Sequence, residues 1–70
     1  MSLRTAQHQL KDATKSLDAA WRSLRSTWND GAARDFERDA IDPIDPAVRH
    51  AISAMARMSE LIQRARSESE

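Results

Sequence analysis

The stretch Trp28-Asn29-Asp30-Gly31 decides the fold, because it is a turn-forming segment between two long amphipathic repeats. Before it, leucine recurs every seven residues, and after it an apolar stripe has the same spacing. Apolar residues at heptad spacing are typical of helices that pack along their length. The sequence therefore predicts an all-α fold, an antiparallel helical hairpin. The two repeats are Leu3, Leu10, Leu17 and Leu24, and then Val48, Ala51, Met55, Met58, Ile62 and Ala65.

The length limits the chain to one domain, residues 1–70. A chain this short buries only about 60% of the surface that it exposes when unfolded, so a core of its own is marginal. Small folds usually add a disulfide, a metal or a partner subunit, and this sequence has no cysteine. We therefore expect the hairpin to dimerise into a four-helix bundle.

Local signals predict the boundaries of the elements. Ser2 is a candidate N-cap, and residues 2–27 predict the first helix. Two interpretations of Gly31 remain open: it ends the first helix in a left-handed conformation, or Asp30 caps a new helix that begins there. The remaining predicted segments are a turn at 28–31, a helix at about 32–41, a break at 42–46 and a helix at about 46–67.

The segment Asp42-Pro43-Ile44-Asp45-Pro46 is the second interruption. Proline inside a helix costs about 3 kcal/mol and disfavours helical dihedrals in the residue before it. Asp45 as N-cap and Pro46 at the first helical position predict that helix resumes there. The chain can thus reverse at 28–31 and bend at 42–46. Alternatively, one helix runs from 2 to 41 and the chain reverses at 42–46.

The charges sum to zero but are unevenly distributed. Residues 1–28 carry +3, residues 29–46 carry −4 and residues 47–70 carry +1. No continuous basic face results, so we expect no nucleic-acid partner. No run approaches the roughly 20 apolar residues of a membrane span, and the amino terminus lacks the apolar core of a signal peptide. We expect a cytoplasmic protein that does not insert into a membrane. Any export would proceed without a cleavable signal peptide.

No pattern of residues indicates catalysis, a cofactor or a metal. His8 and His50 lack the Glu-x-x-His spacing of carboxylate-bridged metal sites in helical bundles. The acidic residues between Asp35 and Asp45 are interpreted as a solvated helix face and helix caps. We expect neither an enzyme nor a small-molecule substrate, cofactor or metal.

The apolar stripes exceed what one hairpin can bury, so the sequence predicts a partner interface on them. The residues assigned to that interface are Leu10, Leu17, Trp21, Leu24, Trp28, Phe36, Ile52, Met55, Met58 and Ile62. The expected partner is a second copy of the chain or a paralogous hairpin.

In its layout the chain resembles the WXG-motif family, the early-secreted-antigen type of small helical hairpins exported by type VII systems. The resemblance lies in Trp28 with a nearby glycine, in Phe36 eight residues later, and in the pattern of residues 48–56. The glycine is three residues after the tryptophan, whereas the family has it two residues after. The resemblance implies dimeric four-helix bundles without enzymatic activity, with Trp28 packing the turn. The alternative is a cytosolic scaffold or regulator that binds a larger partner's helix along the Met/Leu stripe.

Overall fold

The computed structural model describes residues 2–69 and consists of helices joined by short turns. Helix α1 spans Leu3–Arg25, α2 spans Gly31–Phe36 and α3 spans Ile44–Ser69. A π-helical turn, Glu37–Ile41, connects α2 to α3. No β-strand occurs within residues 2–69, which confirms the all-α prediction.

Helix α1 has its predicted start and an earlier end than predicted. Ser2 accepts a hydrogen bond from the backbone N–H of Thr5 at 3.1 Å, as expected of an N-cap. The helix ends at Arg25, not at residue 27. There the carbonyl of Leu24 accepts from the backbone N–H groups of Thr27 and Trp28, so the last turn tightens before the chain leaves the helix.

The chain reverses through residues 26–30, which settles one alternative that the sequence left open. The side chain of Asp30 accepts a hydrogen bond from the N–H of Ala33 at 3.0 Å and thereby caps α2. Gly31 is the first residue of that helix, and it does not adopt a positive φ. The left-handed helix end and the single helix from 2 to 41 are therefore both wrong for this fold.

The proline interruption takes the form of a π-helical turn. Pro43 has no N–H, and its ring would collide with the carbonyl four residues earlier in a regular helix. Just before it, the N–H of Asp42 donates to the carbonyl of Glu37 at 2.8 Å, a spacing of five residues. The wider turn lets the chain pass Pro43 with a bend instead of a reversal.

Helix α3 begins at Ile44, two residues before the predicted start, and continues to Ser69 instead of residue 67. Pro46 is consequently in the first turn of α3, where a missing N–H removes no hydrogen bond within the helix. At the other end, the hydroxyl of Ser69 donates to the carbonyl of Ala65 at 2.7 Å.

Helices α1 and α3 pack against each other in opposite directions. Trp21 and Ile41 line one groove near the turn, whereas Leu3 and Ile62 line another at the open end. The side chain of Gln7 also donates to the carbonyl of Ile52 at 3.0 Å. The molecule measures 60 × 18 × 11 Å, and its radius of gyration of 17.2 Å exceeds the value of about 11 Å for a compact chain of this length. It is a single layer of two long helices.

The best packed part of the molecule is an aromatic cluster at the turn, formed by Trp21, Trp28 and Phe36. The Trp21 ring is 5.9 Å from the Trp28 ring in an edge-to-face arrangement and 5.3 Å from the Phe36 ring, centroid to centroid. Such aromatic pairs add about 0.5–1.5 kcal/mol beyond the area they bury. Trp21 and Ala33 are the buried residues of the range 2–69, so the core is at the turn.

Candidate interaction surface

The leucine repeat of α1 moves gradually from the helix interface to the surface. Positions seven apart fall back by about 20° per heptad on a straight α-helix. Leu3 and Leu10 are half-buried against the rest of the hairpin, whereas Leu17 is 38% exposed and Leu24 is 47% exposed. The repeat thus begins inside the hairpin and ends on its surface.

The stripe on α3 changes in the same way. Val48 and Met55 are half-buried, whereas Ile62, the next residue of that line, is 42% exposed. Along the parallel line, Ala51 is half-buried and Met58 is 50% exposed. The second half of α3 therefore also presents large apolar side chains to solvent.

Both exposed stripes are on one side of the two-helix layer. Antiparallel helices in a layer are related by an approximate two-fold axis normal to that layer. Rotation about this axis exchanges the two helices but keeps the same side of the layer facing up. In both helices the apolar stripe rotates around the helix axis in the same sense, by about 20° per heptad. The exposed ends of both stripes therefore lie on the same side of the layer. We call this side the apolar face. Its residues are Ala6, Ala13, Leu17, Ala20, Leu24, Ala47, Ala51, Ala54, Met58, Leu61, Ile62 and Ala65.

On α1 the apolar face has no Lys, Arg, Asp or Glu at its helical positions, whereas the opposite side of α1 is strongly charged. Helical spacing brings five charged residues together there, namely Arg4, Lys11, Lys15, Asp18 and Arg22. All but the half-buried Asp18 are exposed. The hairpin is thus amphipathic as a layer, with one apolar side and one hydrated side.

The residues that the sequence assigns to a partner interface divide into two groups. Leu10, Ile52, Met55 and Trp28 are half-buried and Trp21 is only 8% exposed, so these five mainly hold the hairpin together. The other five are exposed, so they are free to contact a partner as the sequence predicted. They are Leu17, Leu24, Phe36, Met58 and Ile62.

Leu61 was not assigned to the interface, although it is also exposed on the apolar face. In the sequence Leu61 widens the apolar stripe of α3, but it lies outside the two heptad lines from which the interface was predicted.

A polar network fixes the turn next to the aromatic cluster. The indole N–H of Trp21 donates to a carboxylate oxygen of Glu37 at 2.6 Å, and Arg25 approaches the same oxygen at 3.5 Å. Arg25 also donates to the carbonyl of Trp28 at 3.1 Å and to the side chain of Asn29 at 2.8 Å. Hydrogen bonds to charged groups are the stronger ones, so this network ties α1 to the π-helical turn.

An open groove of about 450 Å³ lies beside this network on the charged side. It is lined by Asp18, Trp21, Arg22, Arg25, Asn29, Glu37, Ile41, Asp42 and Asp45. Within residues 2–69, no three His, Asp or Glu side chains are grouped in a way that could hold a metal ion.

One exposed ion-pair cluster joins α2 to the π-helical turn. Arg38 contacts Asp39 at 2.9 Å and Asp35 at 3.2 Å. The hydrogen bond from Arg38 lowers the pKa of the Asp39 carboxyl, and the same bond raises the pKa of Arg38. Such exposed pairs contribute little to stability.

Comparison of the chain with known protein families, with curated proteins and with solved structures found no match. The resemblance to the WXG-motif family consequently stays a prediction from the residues around Trp28. Any function has to be argued from the hairpin and its apolar face.

Proposed function

We propose that this protein is a non-enzymatic interaction module that binds another helical hairpin through the apolar face. The partner is a second copy or a paralogous hairpin, and the product is a four-helix bundle. The observation that carries the proposal is the exposure of large apolar side chains on one side of the layer, with Leu17, Leu24 and Met58 as examples. Burying such side chains is the main driving force of helix association in water.

The size of the exposed surface agrees with this proposal. The hairpin exposes 5618 Å², whereas a compact monomer of 7.9 kDa is expected to expose about 4,400 Å². The excess of roughly 1,200 Å² is larger than the ~800 Å² that each partner buries in a standard interface. One face-to-face contact could thus cover most of the surplus.

The proposal also draws on the resemblance to WXG-motif proteins. That resemblance implies that Trp28 packs the turn, and Trp28 does pack against Trp21 and Phe36, with ring centroids 5.9 Å and 6.1 Å away. We propose that the module acts as an export substrate, co-substrate or adaptor of a type VII-like system. No helix within residues 2–69 is both long enough and apolar enough to cross a membrane.

A second candidate function is a cytosolic scaffold or regulator that binds one helix of a larger partner. The observation in its favour is the group of adaptable side chains on the second half of α3, where Met58, Leu61 and Ile62 are exposed together. Methionine-rich surfaces tolerate different partners because the side chain is flexible.

Solution mass by light scattering, combined with thermal melts at several protein concentrations, tests the proposal for self-association. We expect a dimer whose melting temperature rises with concentration, because association stabilises the folded hairpin by mass action. A monomer with a melting temperature independent of concentration would contradict self-association.

The location of the tagged protein separates the two candidate functions. Recovery of intact protein from the culture medium of the producing cells is expected of an exported module. Strict retention inside the cells, together with a larger partner that co-purifies stoichiometrically, is expected of the scaffold.

A further inference from the structure

The turn contains an aspartate whose local sequence and backbone differ from those of the other aspartates. Asp30 precedes the only glycine of the sequence, and both residues are exposed. Its backbone is extended, with a φ of −105° and a ψ of −173°. The other aspartates lie within helical segments, except Asp42, which has helical dihedrals and precedes a proline. Asp30 alone therefore combines an extended backbone with a following residue that has no side chain.

This combination permits a reaction between the side chain of Asp30 and the main chain. The backbone nitrogen of Gly31 attacks Cγ of the protonated carboxyl, and the carboxyl hydroxyl leaves as water with the proton of that nitrogen. The product is a five-membered succinimide ring. Water then opens the ring at either carbonyl, which regenerates aspartate or gives isoaspartate, whose main chain runs through Cβ and Cγ. The water lost on closure is regained on opening, so the reaction needs no oxidant, cofactor or enzyme.

Glycine at position 31 removes the usual steric barrier to this attack, because it has no Cβ beside its nitrogen. The turn does not require glycine for its conformation, since the φ of Gly31 is not positive. There is also room for a side chain, because the nearest group to a Cβ at this position would be the guanidinium of Arg34 at 3.8 Å. Gly31→Ala is therefore a change that the turn can accept while the nitrogen becomes shielded.

The hydrogen bond that caps α2 opposes the reaction as long as the turn is closed. A carboxylate oxygen of Asp30 accepts from the N–H of Ala33 at 3.0 Å, which holds the side chain over the first turn of the helix. Closure of a nearly planar ring requires Cβ to eclipse the nitrogen of Gly31, so ψ has to rotate away from −173°. This rotation breaks the cap. The rate of the reaction thus depends on how often the turn opens.

We propose that Asp30-Gly31 is a site of spontaneous isomerisation to isoaspartate, and that the cap of α2 controls its rate. The site is independent of the proposed function, because it does not involve the apolar face. Isoaspartate adds a methylene to the main chain and moves the carboxylate, so the N–H of Ala33 loses its acceptor. The change falls between Trp28 and Phe36, whose ring centroids are 6.1 Å apart, and it therefore loosens the aromatic cluster.

Peptide mapping of the aged protein tests this proposal. The purified full chain is incubated at neutral pH for several weeks, and trypsin then releases residues 26–34 as a single peptide between Arg25 and Asp35. We expect a second peak of identical mass, whose fragmentation shows the Cα–Cβ cleavage that isoaspartate gives. A peak of altered mass alone, from deamidation of Asn29, would overturn the proposal. Asp12-Ala13, which is exposed but within α1, is the internal control and should remain unmodified.

The same assay in denaturant tests the role of the cap. We expect the denatured chain to isomerise at least about fivefold faster than the folded chain, which corresponds to about 1 kcal/mol for an N-cap. Equal rates would overturn control by the cap, and conversion of the denatured chain without any in the folded chain would overturn the site.

Gly31→Ala tests the role of glycine, and it should slow the reaction severalfold in buffer and in denaturant alike. An effect in buffer alone would mean that alanine acts only by stabilising the helix, and would overturn the steric argument. The isolated isoaspartate form should melt about 4–8 °C below the unmodified protein, because it lacks the cap. An unchanged melting temperature would contradict the loosening of the turn.

Discussion

The turn end and the helical shaft of this hairpin are built in different ways. At the turn, Trp21 is buried between two other aromatic rings and its N–H is bound to Glu37. Along the shaft, Leu17, Leu24 and Met58 lie exposed on the apolar face, and no other part of residues 2–69 covers them. The turn therefore carries the internal order of the hairpin, and the shaft carries the surface that a partner could bury.

This difference means that changes at the two regions should affect different measurements. A change at the turn should lower the stability of the hairpin itself. A change on the apolar face should weaken association and leave the helix content of the hairpin nearly unchanged.

Trp21→Ala should have the largest effect, because it removes the centre of the aromatic cluster and leaves Glu37 without its indole donor. We expect a loss of about 3–5 kcal/mol in the free energy of unfolding. Denaturant unfolding at a fixed protein concentration measures it. Trp21→Phe keeps the aromatic contacts but removes the N–H, so its loss should be about 1.5–3 kcal/mol. Equal losses for the two variants would mean that the rings contribute little.

Leu17→Asp should abolish self-association, because it places an unpaired charge in the middle of the apolar face. We expect the dissociation constant to rise about 100-fold or more, which corresponds to roughly 3 kcal/mol. Sedimentation equilibrium measures the association, and circular dichroism checks that the helix content is kept. Asp12→Ala, an exposed position on the same helix, is the matched control and should change stability by only a few tenths of a kcal/mol. Similar behaviour of both variants would show that Leu17 is not in the interface.

Asp30→Ala should have a moderate effect restricted to the turn, because Asp30 accepts the hydrogen bond from Ala33 that caps α2. We expect a loss of about 1 kcal/mol in the free energy of unfolding. Thermal melts of Asp30→Ala and Asp30→Asn together test the cause, since asparagine keeps the accepting oxygen. If the asparagine variant is as unstable as the alanine variant, the cap is not the reason.

Asp39→Asn should have the smallest effect, because the Asp39 side chain is largely exposed on the π-helical turn. The pKa of Asp39 is lowered from its ordinary value of 3.8 by the hydrogen bond from Arg38. Its contribution to stability is therefore present above that value and is lost as the pH falls through the lower, folded-state pKa. Melts of the protein and of Asp39→Asn should differ slightly at neutral pH and coincide at strongly acidic pH. A difference that grows on acidification would contradict this sign.

Local signals in the sequence were enough to predict the helices and one of their caps. The recurrence of Leu3 through Leu24 at heptad spacing predicted α1, and Ser2 predicted its first turn. Of the two interpretations of Gly31, capping of a new helix by Asp30 is the one that the fold contains. These features depend on neighbours within one helical turn, which explains why they can be read from the chain.

The site of reversal stayed open in the sequence, because Asp42-Pro43 is the firmer local break, yet the chain reverses at Asn29-Asp30-Gly31. The outcome depends on contacts between distant residues, namely Trp21 with Phe36 and Trp21 with Glu37. Those contacts form only if the chain reverses before α2. Pro43 is then accommodated by the π-helical turn, which no local pattern in the sequence indicated.

The sequence by itself determined that this protein is helical and amphipathic, because periodicity depends only on neighbours along the chain. Its 70 residues also limit how much apolar surface one core can bury. Only the tertiary structure decided which apolar residues hold the hairpin together and which remain exposed. That division depends on which side of each helix contacts the other helix. Because a heptad repeat rotates slowly around the helix, the same line of leucines begins in the helix interface and ends on the surface.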